Sequence, residues 1–118
     1  MIGALIKNSE FKELWSGNKT YSGTLTMAES VITFDVLLVK VKSNYQYMTG
    51  IIVRPEASQE LACIFAVPNS MGQQTEPFYY KGTLQIVPSS NGLSVDVSTS
   101  YNNGNLQFGV VAIYGIRF

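Results

Sequence analysis

From Tyr79 to Phe118 the chain reads as three β-strands in succession, Tyr79–Val87, Leu93–Ser100 and Gln107–Phe118, punctuated by Ser89–Gly92 and Asn102–Asn105. Turn-forming Ser, Asn and Gly between runs of Val, Ile, Tyr and Phe are the signature of consecutive strands. In the middle run Leu93, Val95 and Val97 alternate with Ser94, Asp96 and Ser98. That period of two fits a strand with one buried face. The expected fold is all-β: a two-sheet antiparallel β-sandwich, jelly-roll-like, of about eight strands spaced roughly 8 to 15 residues apart.

The same punctuation extends upstream. Phe11–Ser16 and Tyr21–Ala28 are expected to form a hairpin, because Gly17-Asn18 and the following Lys19-Thr20 supply turn residues between two β-favouring runs. Thr33–Lys42 is the longest apolar stretch, with Phe34, Val36, Leu38, Val39 and Val41, and is expected to be the central strand, with Lys40 and Lys42 escaping at its end. Ile51–Val53 and Leu61–Val67 follow. Pro55 and Pro68 cannot donate a ladder hydrogen bond and should mark strand ends. Residues 1–10 are weakly patterned and fit an arm, a short helical turn or a first edge strand equally. At 118 residues the chain is expected to be one domain. A truncation into the apolar run Val110–Phe118 should unfold it.

Composition removes several classes of function. Lys and Arg together number 8, as do Asp and Glu, so no net field gathers a polyanion and nucleic acid is not an expected partner. Charged residues are 14% of the chain, against about 25% in ordinary domains. A surface of Ser, Thr, Asn, Gln, Tyr and Gly suits sugars or a protein neighbour, and has little like-charge repulsion to oppose self-association. With no histidine, neither a Ser-His-Asp nor a Cys-His arrangement can form, and no phosphate-cradling glycine motif occurs. A zinc site would have to be built almost wholly from carboxylates, so neither metal nor cofactor is expected. The single cysteine, Cys63, lies in the apolar run Leu61–Val67 and reads as a small buried hydrophobe. The opening Met-Ile-Gly-Ala-Leu-Ile-Lys has neither a charged n-region nor a span of membrane length, so synthesis in the cytoplasm without a signal peptide is the expectation.

A glycosidase would need two facing carboxylates; a Glu76/Asp96 pair is imaginable, but both are expected to be solvated surface carboxylates. Glu56 and Glu60 fall in an apparent loop. Asn102, Asn103 and Asn105 lack the charge of a calcium loop and read as a turn. Aromatic side chains in the expected loops say more, because a sugar ring stacks on a flat side chain while polar neighbours orient it. Tyr45 and Tyr47 share a face if their stretch is extended; Tyr79 and Tyr80 follow Phe78; Tyr101 opens the Asn-rich turn. These five are the candidate glycan-binding residues, although packing at the sandwich ends or in a subunit interface would use the same rings. Trp15 is expected to anchor the core.

The segment Leu-Trp-Ser-Gly-Asn (Leu14–Asn18), then Ser22–Met27, Ser30 and Phe34–Val39, resembles the opening of β-modules in tail-fibre, baseplate and distal tail proteins of bacteriophages. The closing Gly-Val-Val-Ala-Ile-Tyr-Gly-Ile-Arg-Phe (Gly109–Phe118) resembles the last strand of the same modules. The resemblance implies a non-enzymatic virion component of the tail tip or baseplate, similar to receptor-binding proteins and trimeric. Its implied partners are further copies of itself, other phage tail proteins and host cell-wall carbohydrate. Unlike larger fibres, this chain carries no collagen-like, coiled-coil or β-helical stalk.

Overall fold

The computed structural model describes residues 9–43, 46–68, 79–101 and 108–118. Eight strands fill it: β1 (Glu10–Thr20), β2 (Ser22–Thr26), β3 (Val36–Ser43), β4 (Tyr47–Val53), β5 (Leu61–Pro68), β6 (Tyr79–Pro88), β7 (Ser94–Tyr101) and β8 (Phe108–Arg117). One sheet has the order β1-β8-β3-β4 and the other β2-β7-β6-β5, all neighbours antiparallel. The fold is therefore a β-sandwich. Pairing β1 with β8 and β2 with β7 is the jelly-roll wrap, whereas β3–β4 and β5–β6 are plain hairpins within a sheet.

Alternation decides which side chains meet between the sheets. In β3, Leu37, Val39 and Val41 face inward and are fully buried, leaving Val36, Leu38, Lys40 and Lys42 on the outer face. Val95 and Val97 of β7 and Leu84 and Ile86 of β6 face them from the second sheet. Each such side chain contributes about 1.5–3 kcal/mol on leaving water. Phe108 keys the two layers together: its ring meets Phe65 edge-on at 5.4 Å and lies against the backbone of Gly82, where a Cβ would come within 2.0 Å of the ring. Cys63 is buried against Gly50 of β4, a small apolar group with burial pushing its thiol pKa up.

Several expectations change. Gly17-Asn18 does not turn a hairpin: β1 runs on to Thr20 and pairs with β8, while β2 lies in the opposite sheet. Between the pairs Ser16–Ala112 and Thr20–Val110, three β1 residues oppose the single residue Val111, so the breaker produces a bulge and the chain crosses between sheets at Tyr21. The central strand begins at Val36, because Val31–Thr33 form a 3₁₀ turn that buries Val31. Leu93 is exposed, belonging to the turn that precedes β7. Trp15 is a margin of the core; its half-buried indole packs against the cluster beside Gly17.

Other expectations hold. Ser89–Gly92 is a turn closed by Gly92 N–H donating to the Ser89 carbonyl, and Gly92 takes φ +72°, where a Cβ would meet Ser30 Oγ. β4 ends just before Pro55, and β5 ends at Pro68. The inner position of β8 agrees with its apolar sequence. Residues 1–8, most of the weakly patterned opening, lie outside the described residues, as does the Asn102–Asn105 turn.

One end of the sandwich is tied by charge. Arg117 donates to Glu10 (2.8 Å), Glu29 (3.0 Å), the Thr33 hydroxyl (2.6 Å) and the Thr33 carbonyl (3.0 Å), with its guanidinium 3.9 Å from the Phe34 ring centroid. Lys12 also pairs with Glu29. The Lys12 and Arg117 hydrogen bonds hold the Glu29 carboxyl below its ordinary value near 4.5, and Glu29 then Glu10 raise the Arg117 pKa in return.

Two outcomes follow for stability. Gly82→Ala should cost about 1–3 kcal/mol in urea unfolding, since Phe108 has no free space to move into, whereas Gly17→Ala meets a half-exposed indole and should cost less. A depressed carboxylate pKa stabilises the fold above the unfolded value and loses that contribution as pH falls through the folded one. Acid unfolding should accordingly show a Glu29 component below pH 4.5 that is absent in Glu29→Gln.

Candidate functional site

The bulge in β1 makes a concave feature on the outer side of its sheet. Gly17, Asn18 and Lys19 arch away from the ladder, Val111 forms the floor, and Tyr21, Lys42 and Tyr47 complete a groove of about 490 Å³. Gly109 permits the arch to return, for a Cβ there would lie 2.9 Å from the Thr20 nitrogen. The size falls within the range of about 300–1,000 Å³ of small-ligand sites.

Each side of the groove is held in place. The Tyr21 carbonyl accepts both the backbone N–H (3.0 Å) and the hydroxyl (2.9 Å) of Thr99, which fixes the crossing from β1 to β2 against β7. Tyr47 stands directly across from Lys42 at the start of β4. The β3–β4 connection is locked just before it: Ser43 N–H (2.8 Å) and Ser43 Oγ (3.1 Å) donate to the Gln46 carbonyl, and Gln46 N–H donates back to Ser43 Oγ (3.0 Å). Period-two alternation puts Lys40 and Lys42 on the same outer face as Tyr47, with ammonium groups 4.5 Å and 5.1 Å from its ring centroid. Such contacts contribute about 0.5–1 kcal/mol each at exposed sites.

Charge pairing is uneven along the described part of the sandwich, although the whole chain sums to zero. The ion pairs among the described residues join Lys12 and Arg117 to Glu10 and Glu29 at the opposite end. Among the described residues, no carboxylate pairs with Lys19, Lys40 or Lys42. The groove is thus a cationic, tyrosine-lined end of a neutral protein.

Of the expected glycan-binding residues, Tyr47 lies in the groove. Tyr79 and Tyr80 open β6 opposite Pro68 and Val67, and Tyr101 closes β7 opposite Gly82, so the topology brings all three backbones to this same end. Tyr45 lies outside the described residues. Lys19, Tyr21 and Lys42 were not singled out by sequence, since Tyr21 sat inside an expected strand; the usable signal was a Gly-Asn breaker beside an aromatic residue. As for the carboxylates, Asp96 is exposed on the outer face of the second sheet and accepts a 2.6 Å hydrogen bond from Thr24 Oγ1. Glu76 lies outside the described residues. Among the described residues, no group of three or more His, Cys, Asp or Glu could hold a metal ion, and no helix is long and apolar enough to cross a membrane.

No protein-family model matches the chain, and no curated protein matches it. The Cys63 thiol, buried and raised in pKa, should react slowly with a disulfide reagent in the native protein and rapidly once urea unfolds it.

Proposed function

We propose that this chain is a non-enzymatic structural module that acts as a homotrimer, joined through the outer face of the β1-β8-β3-β4 sheet. The observation that carries the reading is the composition of that face. One row across all four strands is Phe11, Ile116, Val36 and Val53, and the next is Glu13, Tyr114, Leu38 and Ile51. Phe11 stacks on Tyr114 at 5.2 Å, and Phe11, Ile51 and Val53 are each more than 60% exposed. A contiguous apolar patch of this kind marks an interaction surface.

The edge next to it supports the same reading. β4, Tyr-Met-Thr-Gly-Ile-Ile-Val, carries no charge and no proline and pairs with β3 in unbroken register, whereas the opposite edge, β1, carries Glu10, Lys12, Glu13 and Lys19 and two irregularities. Charged and bulged edges resist strand pairing, and unguarded ones invite it. The patch ends where Lys40 and Lys42 replace the aliphatic residues along β3, so like charge confines a second copy to the apolar half.

Placement in a phage tail tip or baseplate, among other tail proteins and assisting host attachment, rests on the sequence pattern around Trp15 and in the closing strand. The assembly is tested without a host. Light scattering coupled to size exclusion should give three chain masses that persist on dilution. Leu38→Lys combined with Ile51→Lys should reduce this to one chain mass with the circular dichroism spectrum unchanged. A wild-type protein that stays monomeric at high concentration would rule the reading out.

A further inference from the structure

We propose that the groove between the β1 bulge and Tyr47 is a binding site for an acidic saccharide, a sugar bearing a carboxylate or comparable anionic substituent. This goes beyond the assembly reading and uses a different half of the same sheet. The argument starts from the ammonium groups. Lys40 and Lys42 are both held over one tyrosine ring, at 4.5 Å and 5.1 Å, with Lys19 on the facing wall of the groove. Crowding like charges is unfavourable, and no described carboxylate relieves it. An anion entering the groove would.

The same geometry separates an acidic sugar from a neutral one. A neutral ring stacking on the lysine-facing side of Tyr47 would have to displace the ammonium groups and receive no charge in exchange. An acidic ring gains charge-assisted hydrogen bonds from Lys42 while its carbon face lies along Tyr21 or Val111. Asn18 adds an amide that can both donate and accept, suited to sugar hydroxyls. A volume of about 490 Å³ accommodates one or two sugar rings but is larger than a bare inorganic anion needs.

The test is isothermal titration of the full chain with tetragalacturonate, with maltotetraose and inorganic phosphate as the other arms. Tetragalacturonate should bind at least about tenfold more tightly than maltotetraose, as expected for a charge-assisted contact, and weaken as salt is raised. Lys42→Gln should lose most of that advantage with its thermal midpoint unchanged, and Tyr47→Leu should weaken binding further by releasing both ammonium groups. The Leu38→Lys, Ile51→Lys variant should keep the preference for tetragalacturonate over maltotetraose, which separates this site from the assembly surface. Equal binding of the two oligosaccharides, phosphate binding as tightly as tetragalacturonate, an unaffected Lys42→Gln, or no binding at millimolar concentration would each overturn the proposal.

Discussion

The strand on which the structure depends is β8. It lies between β1 and β3, so its backbone closes one sheet on both sides, and its first residue, Phe108, reaches across to Gly82 and Phe65 of the other. Its last residue, Arg117, ties β1, the Glu29 segment and the 3₁₀ turn together. Both sheets thus rely on contacts between residues far apart in the chain. Such a topology closes long loops before it gains their contacts, which favours slow, cooperative folding.

A bulge on each side of β8 turns this packing into a site. Register shifts between Lys40 and Val41 and between Ser16 and Thr20 both fall opposite Val111. The sheet loses its regular pleat at that level and gains a concavity, floored by Val111 and walled by the arch of β1. Bulges commonly re-aim side chains at functional positions, and here the re-aimed neighbours are Lys19 and Tyr21. The outer face therefore divides in two: an apolar half near Phe11 and Val53, and a cationic half near Tyr47.

Much of the fold was legible because alternation is a local property. Val95 and Val97 against Asp96 and Ser98 gave the inner and outer faces of β7 directly, and Pro55 and Pro68 marked strand ends for a covalent reason. The site was legible only in part. Tyr47 stands out in the sequence as an aromatic residue of an expected loop, but its place at the start of β4 and its association with Lys40 and Lys42 depend on β3–β4 register, and its proximity to Tyr21 depends on the crossing between sheets. Gly17-Asn18 reads in sequence as a hairpin turn, yet it lies within β1 as a bulge. Whether a break becomes a hairpin turn or a bulge depends on the partner strand, which for β1 is nearly a hundred residues away.

Sequence alone determined the β-class, the approximate places of most strands, the buried face of β7 and the classes of chemistry closed to a chain without histidine, because these follow from side-chain type and period. Tertiary structure decided which strands are neighbours, that Lys19, Lys40 and Lys42 gather at the end away from the ion pairs of Lys12 and Arg117, and that a loop signal becomes the wall of a groove. Those outcomes follow from hydrogen-bond pairing between distant segments, and no local pattern specifies the partner.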